Sequence, residues 1–228
     1  MTSGYWVLLA LPATALAGVA CERIASDYAR RIDAGAAVDG ATLCAALRAA
    51  STTVFLVCAA ASLACVVVLI LMRALGPLAL ARAGACMVLL LLAFIDARCR
   101  VLPDALTQPL MWAGLLLSAA GLGPAPAAAL AGAAAGYLFL RGVNAVFVFW
   151  RGHEGMGRGD MKLLAALGAW LGWAPLPEVL LAASLGGALV AVLRWGRQAW
   201  RATLPFGPFL AAAGGFGLVR GAVVQFPF

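Results

Sequence analysis

Two aspartates are the residues of this sequence best suited to catalysis. Asp96 follows one long apolar run, and Asp160 precedes another. Two carboxyl groups brought together in a low-dielectric site cannot both ionise easily, so one of them keeps a proton. Such a pair can activate a water molecule against a peptide carbonyl. The pattern therefore indicates a two-carboxylate acid–base site, provided that the fold brings the two aspartates together.

The second aspartate lies in a polar, glycine-rich stretch, Arg151–Lys162, with the sequence R-G-H-E-G-M-G-R-G-D-M-K. Gly155, Gly157 and Gly159 permit unusual dihedral angles and let a substrate backbone approach closely. The alternative is a flexible loop in which Asp160 only caps the next helix. A capping role is compatible with catalysis, so a second aspartate at the same membrane level favours the catalytic interpretation.

The first aspartate opens the other polar interruption, Asp96–Thr107, with the sequence D-A-R-C-R-V-L-P-D-A-L-T. Within it, Asp104 follows Pro103, and its position predicts a cap for a helix beginning at Ala105. Because ionisable groups at membrane depth are costly, the acids in both interruptions are candidates for function.

The composition predicts a membrane protein. Of 228 residues, 65% are hydrophobic and 11% are charged, and the mean hydropathy is +1.02. Ordinary globular chains are about half apolar and roughly 25% charged. Several apolar runs approach the roughly 20 residues that span a bilayer as a helix, and strand-like alternation is absent. The sequence therefore predicts an all-α, polytopic membrane protein. The net charge is +7, and the basic residues that produce it lie beside the apolar runs. This placement indicates contact with lipid headgroups, not with nucleic acid.

We count eight hydrophobic segments, which predict about eight transmembrane helices. They are Tyr5–Ala20, Thr52–Met72, Leu78–Ile95, Leu106–Leu122, Ala127–Trp150, Met161–Trp173, Glu178–Leu193 and a last one from Thr203 to about Val219. Residues 1–72 are predicted to form two N-terminal helices joined by a loop at about 21–51, and residues 73–228 a six-helix catalytic core. For the polar segment Glu22–Ala50, a solvated connector is the favoured interpretation.

The segment Ala127–Trp150 has two features that matter for packing. It is rich in small residues that allow helices to approach closely: Ala131, Gly132, Ala135 and Gly136. It also contains Arg141 and Asn144, which are polar at membrane depth. Whether Arg141 snorkels to the membrane face or pairs with a carboxylate is left open by the sequence.

The basic residues predict the orientation. With the N-terminus outside, twelve basic residues fall in inside loops and three in outside loops or adjoining ends, which is a strong positive-inside bias. Asp96 and Asp160 then share the cytoplasmic side. The inside set is Arg23, Arg30, Arg31, Arg48, Arg98, Arg100, Arg151, Arg158, Lys162, Arg194, Arg197 and Arg201, and the outside set is Arg73, Arg82 and Arg220.

Metal-ligand patterns are missing from the sequence. Its six cysteines include no C-x-x-C pair, and it has a single histidine, His153. No metal site and no cofactor are therefore expected.

Three stretches resemble the bacterial type IV prepilin peptidases, which are G-x-G-D aspartyl proteases of the inner membrane. They are F-I-D-A-R-C-R-V-L-P-D-A-L-T at Phe94–Thr107, E-G-M-G-R-G-D-M-K-L-L-A-A-L-G-A-W-L-G-W at Glu154–Trp173 and L-P-F-G-P-F-L-A at Leu204–Ala211. The resemblance runs from about Leu78 to Gly215. It implies cleavage of the short basic leader from prepilins, or from pseudopilins of type II secretion, at the cytoplasmic membrane face.

The resemblance also implies roles for individual residues. Asp96 and Asp160 match the catalytic pair, and Gly157 and Gly159 match the G-x-G before the second aspartate. The remaining matched positions are assigned supporting or substrate-orienting roles. They are Glu154, Lys162 and Asp104.

The chain departs from the family pattern in one region. Many prepilin peptidases also N-methylate the new terminal residue and carry paired C-x-x-C motifs in a longer cytoplasmic insert after the first helix. Here that region is only Glu22–Ala50, with no C-x-x-C. The chain is therefore interpreted as a short form, and its N-methyltransferase activity is doubtful.

Two other classes of protein stay open. One is a different G-x-G-D intramembrane protease, such as a relative of presenilin or signal peptide peptidase. The other is a non-catalytic membrane protein of pilus or secretion assembly, or a small carrier. The L-P-D-A-L-T and E-G-M-G-R-G-D-M-K contexts favour the prepilin peptidase, with prepilins as its protein partners and an unknown oligomeric state.

Overall fold

The computed structural model describes residues 21, 23–37, 42, 77–153, 155–196 and 204–224. Within these ranges the chain forms helices and no strand, which confirms the all-α prediction. Residues 23–33 are helical and precede six further helices. These are α1 (Pro77–Cys99), α2 (Asp104–Ala119), α3 (Pro126–Arg151), α4 (Arg158–Leu171), α5 (Leu176–Trp195) and α6 (Gly207–Val224). The predicted spans Tyr5–Ala20 and Thr52–Met72 lie outside the described residues.

Local sequence explains where the helices begin and end. Helix α3 begins at Pro126, whose missing N–H costs nothing in a first turn, and it stops at Gly152, which has the left-handed φ of 76°. Helix α4 begins at Arg158, three residues before the predicted Met161. The prediction was wrong there because the hydrophobic pattern does not reveal a polar first turn.

Helix α4 is the central helix of the described bundle. It packs against α2, α3, α5 and α6. Leu163, Leu164 and Leu167 are completely buried, and nearly the whole helix from Asp160 to Trp170 is inaccessible. A helix that is apolar on all sides must be surrounded by protein or lipid. Within a membrane these leucines gain little from leaving lipid, so close packing on all sides of the helix is what holds it in the bundle.

Helices α3 and α4 approach each other through glycines. A Cβ on Gly136 would lie 2.8 Å from the carbonyl oxygen of Leu164, and one on Gly132 would lie closer still to the carbonyl oxygen of Gly168. The predicted packing role is confirmed for Gly132 and Gly136. It is wrong for Ala131 and Ala135, which are exposed, because the buried stripe follows the helical period. That stripe consists of Ala129, Gly132, Ala133, Gly136 and Leu140.

The outer surface of the bundle is apolar. Helices α3 and α5 are long and apolar enough to cross a membrane, and most of each is not buried by protein. Large side chains point outward along them, with Phe149 87% and Leu193 76% exposed. Apolar surface of this extent marks contact with lipid, and the chain is a helical membrane protein. The count of eight spans stays a prediction.

Arg141 of α3 is exposed and has no carboxylate in ion-pair distance among the described residues. Of the two alternatives left open by the sequence, this arrangement favours a side chain that extends to the membrane face.

The helical residues 23–33 are docked against the bundle. Ala25 and Tyr28 are completely buried and form a cluster with Ile95 of α1, and Ile32 packs against the same cluster. The apolar residues at 24, 25, 28 and 32 fall on one helical face. The prediction of a solvated connector is therefore wrong for this part of the loop, because its amphipathic face covers the end of α1.

Candidate active site

A cavity of about 390 Å³ opens where three parts of the chain meet. These parts are the end of α1 with the turn after it, the loop leading into α4, and the segment before α6. Asp96 and Asp160 both line this cavity, so the fold brings the two predicted aspartates to one site. The other lining residues are Arg100, Val101, Leu102, Gly155, Met156, Gly157, Arg158, Gly159, Leu204, Pro205 and Phe206.

Asp96 is held by a backbone hydrogen bond. It lies in the last turn of α1, beyond the predicted span that ends at Ile95, and it is 5% exposed. The backbone N–H of Gly207 donates to Asp96 Oδ2 over 3.0 Å. Gly207 is the first residue of α6, where the helix carries a partial positive charge. Burial raises the pKa of Asp96, while the Gly207 N–H and the Arg100 guanidinium act in the opposite direction.

Asp160 has a different environment. It is the third residue of α4, lies outside the two candidate membrane-crossing helices, and is 8% exposed. Its Oδ1 atom is buried and has no hydrogen-bond partner among the described residues. Burial, and secondarily the charge of Asp96, raises the pKa of Asp160 to about 7. Near neutral pH the pair therefore holds a proton readily, as acid–base chemistry requires.

Neither Asp160 nor Asp104 occupies the N-cap position of its helix. Gly157 is the cap residue of α4, so Asp160 lies inside the first turn. Pro103 is the cap residue of α2, which begins at Asp104 itself. The predicted cap at Asp104 and the alternative of a cap at Asp160 are both wrong, because a proline and a glycine, which offer no side-chain acceptor, occupy the helix boundaries.

Two of the predicted supporting residues contact each other. Lys162 Nζ lies 2.6 Å from both carboxylate oxygens of Asp104. This ion pair links α2 to α4 two residues after Asp160, and both side chains keep partial access to solvent. Glu154, the third predicted supporting residue, lies outside the described residues.

The glycines before Asp160 differ in how closely other atoms approach them. None of Gly155, Gly157 and Gly159 has a positive φ, so the expectation of unusual dihedral angles was wrong. A Cβ on Gly159 would lie 2.7 Å from the Cβ of Leu102. At Gly157 the nearest atom is Asp160 Oδ2, at an ordinary 3.6 Å. The lack of a side chain at Gly159 therefore allows Leu102 to pack against the α4 backbone. At Gly157 no such close packing is present among the described residues.

Two residues of the site were missed as functional candidates. Gly207 supplies the N–H to Asp96, although the sequence assigned no role to it beyond its place in the stretch Leu204–Ala211. Asn144 Oδ1 accepts hydrogen bonds from the backbone N–H groups of Gly155 and Met156 over 3.1 and 3.2 Å. A lone amide in an apolar helix was the available signal for Asn144.

Comparison with known proteins finds a family match over the part of the chain that contains the two aspartates. Residues 83–192 match the model of the type IV leader peptidase family, and this range contains both aspartates. The matched residues, just under half of the chain, are therefore similar to the type IV leader peptidases. The resemblance to the prepilin peptidases is thereby confirmed.

Curated relatives carry the name prepilin leader peptidase/N-methyltransferase. The chain is 53% identical to one from Burkholderia pseudomallei (strain 1026b) over 138 residues, or 60% of this chain and 45% of the relative. It is 50% identical to one from Dickeya chrysanthemi over 131 residues, or 56% and 46%. It is 49% identical to one from Aeromonas hydrophila over 138 residues, or 59% and 47%. The match thus spans about half the length of these relatives, and no solved structure matches the chain significantly.

Proposed function

We propose that this chain is an aspartic-type endopeptidase that removes the basic leader peptide from type IV prepilins or type II secretion pseudopilins. The observation that carries the proposal is the single cavity lined by Asp96 and Asp160, whose carboxyl groups have unlike surroundings. Titratable pairs in environments that separate their pKa values are typical of acid–base catalysis. The match to the leader peptidase family and the names of the relatives support the same reaction.

In the proposed mechanism Asp96 is the general base. Its Oδ2 receives the Gly207 N–H and lies near Arg100, and both interactions favour the ionised carboxylate over the acid. Asp160 is the general acid, because it lacks a donor at Oδ1 and has the pKa near 7. A water molecule between them is thus placed between an acceptor and a donor of protons.

The proton transfers balance over two steps. Asp96 takes a proton from the water as its oxygen attacks the scissile carbonyl carbon, and Asp160 gives its proton to the carbonyl oxygen. The resulting diol collapses when the C–N bond breaks. Asp96 then passes its proton to the leaving amine, and a diol hydroxyl returns a proton to Asp160. The pair ends in its starting state.

The remaining assignments belong to the same proposal. Gly157, Gly159, Glu154, Lys162 and Asp104 support the pair or orient the substrate, and residues 73–228 form the catalytic core. The positive-inside bias supports a location in the bacterial inner membrane with a periplasmic N-terminus and a cytoplasmic site. A basic leader would be attracted to the site's carboxylates and to anionic headgroups, while the apolar stem of the substrate stays in the bilayer.

The proposal is limited to the peptidase reaction. The relatives' names include an N-methyltransferase, but the sequence of this chain contains no C-x-x-C motif. Because the family match is to leader peptidases, the second activity of the relatives is not transferred to this chain.

Coexpression tests the proposal. The wild-type chain and the variants Asp96→Asn and Asp160→Asn are each produced with a panel of prepilins and pseudopilins, and the mass and N-terminal residue of every product are measured. We expect the wild type to remove a leader, and both variants to insert into the membrane and leave it attached. Full processing by either variant would contradict the mechanism. The same spectra report whether the new N-terminus is methylated.

A further inference from the structure

Part of the cavity wall, formed by Gly155 and Met156, is attached to helix α3. Asn144, two turns before the end of α3, accepts two backbone hydrogen bonds with one side-chain oxygen. Its donors are the N–H groups of Gly155 and Met156, and both of these residues line the cavity. A single amide group thus replaces two missing backbone acceptors for a segment that is neither helix nor strand.

The aromatic ring of Phe147, also on α3, packs against the same loop. Phe147, one turn after Asn144, lies so close to Gly155 that any Cβ at that position would collide with its ring atoms. His153 also meets Phe147, with ring centroids 5.6 Å apart in an edge-to-face arrangement. His153, Gly155 and Met156 are therefore held against α3 by contacts that do not involve α4.

The two aspartates are fixed by other contacts. Asp96 is held by Gly207 of α6, and Asp160 belongs to α4, whose neighbouring Leu163 and Leu164 are completely buried. Loss of the Asn144 contacts would therefore loosen the wall and leave the carboxyl pair in place.

We propose that Asn144 is a positioning residue that fixes Gly155 and Met156 as the substrate-facing wall of the cavity. This inference rests on the proposed function, since the substrate is the peptide cleaved there. Asn144 acts through the loop and does not take part in the proton transfers. Its removal should therefore weaken substrate binding more than it slows the chemical step.

Three variants separate this role from a merely structural one. Asn144→Ala removes the acceptor, and we expect kcat/KM to fall about 10-fold, mainly through a higher KM, because two hydrogen bonds are lost. Asn144→Asp keeps an oxygen that can accept both N–H groups and should recover most of the wild-type value. Val143→Ala, at an exposed neighbouring position that does not line the cavity, is the matched control and should match the wild type.

The experiment uses the purified full chain in lipid nanodiscs and two readouts. Hydrogen exchange is measured for the peptide containing Gly155 and Met156, whose amides should exchange faster in Asn144→Ala than in Asn144→Asp or the control. Steady-state cleavage is measured with a purified prepilin or pseudopilin, chosen from a panel because the wild type cleaves it. The pH profile of kcat should be the same in Asn144→Ala and Val143→Ala as in the wild type, since neither variant adds or removes a titratable group.

Several results would overturn the inference. Unchanged exchange at Gly155 and Met156 in Asn144→Ala would show that the two hydrogen bonds do not hold the wall. Equal losses in Asn144→Ala and Asn144→Asp, or a loss in kcat with unchanged KM, would remove the substrate-positioning role. Failure of the proposed function has a different signature. In that case Asp160→Asn still cleaves, or the wild type cleaves no member of the panel, while the exchange result at the loop persists.

Discussion

The two polar interruptions of this membrane protein each contribute one aspartate to a common cavity, but they hold it differently. After α1 the chain turns sharply through Arg100, which has a positive φ of 55°, and Asp96 accepts an N–H from Gly207. Before α4 the chain makes a longer loop, and Asp160 enters the cavity with its Oδ1 unpartnered among the described residues. The contacts of the first aspartate therefore stabilise its ionised form, whereas Oδ1 of the second aspartate receives no such hydrogen bond from the described residues.

This difference explains how two identical side chains can have separate tasks. Burial raises the pKa of both carboxyl groups, but only Asp96 receives a helix N-terminal N–H that favours its ionised form. The pair is therefore asymmetric before any substrate binds. The residues around each carboxyl group cause that asymmetry. Substitutions in the two environments should therefore change different measurable properties.

The largest expected effect is loss of the carboxyl groups themselves. We expect Asp96→Asn and Asp160→Asn each to lower kcat by about 10³-fold or more, because the acid and the base act as one unit. Steady-state cleavage of a purified prepilin by the single and double variants checks this. If the double variant loses much more activity than either single variant, the aspartates do not work as a pair.

The next effect concerns the glycines that surround each aspartate. A Cβ on Gly207 would lie 2.6 Å from Asp96 Oδ2, and one on Gly159 would lie 2.7 Å from Leu102. Gly207→Ala and Gly159→Ala should each lower kcat/KM by about 10²-fold, since small displacements of catalytic groups are costly. Gly157→Ala, whose Cβ would make only an ordinary 3.6 Å contact with Asp160 Oδ2, should cause a smaller loss of kcat/KM than Gly159→Ala. Equal losses at Gly157 and Gly159 in the same assay would contradict the packing explanation.

The asymmetry also predicts a pH-dependent stability. The pKa of Asp160 is raised from 3.8 to about 7 in the folded chain, so the folded state binds this proton more tightly than the unfolded state. The free energy of unfolding of the chain should therefore fall as pH rises from about 4 through about 7. Asp160→Asn removes that dependence and should be more stable than the wild type above pH 7, by roughly 1–3 kcal/mol.

Thermal unfolding in detergent from pH 5 to 8 measures this difference. Asp96→Asn is the comparison, because the Gly207 N–H and Arg100 partly offset the effect of burial on Asp96. Its advantage at high pH should be smaller than that of Asp160→Asn. The reverse order would mean that the two environments have been assigned to the wrong aspartates.

The smallest effect is expected at the ion pair beside the second interruption. Lys162 and Asp104 link α4 to α2, but both remain partly exposed, so their interaction is screened by solvent. Lys162→Gln and Asp104→Asn should each lower stability by less than about 1 kcal/mol, with a similar coupling energy in a double-mutant cycle. Chemical denaturation of the four proteins measures it. A loss of cleavage without a loss of stability would assign the pair to substrate contact instead.

Much of the architecture follows from local properties of the sequence. Hydrophobic runs predicted all six helices between Pro77 and Val224, within a few residues at most of their boundaries. The two polar interruptions and their aspartates were visible because charge is rare in so apolar a chain. The docking of residues 23–33 was not predicted, because an amphipathic helix does not specify which surface covers its apolar face.

The sequence by itself determined which residues could do chemistry: Asp96, Asp160 and the glycines near them. Only the tertiary structure decided how each is held. The donor to Asp96 is 111 positions away in the chain, and the Gly159 contact comes from Leu102 in the other interruption. Hydropathy and periodicity are properties of neighbours in sequence, whereas the direction of one N–H or the space beside one Cα depends on how whole helices pack.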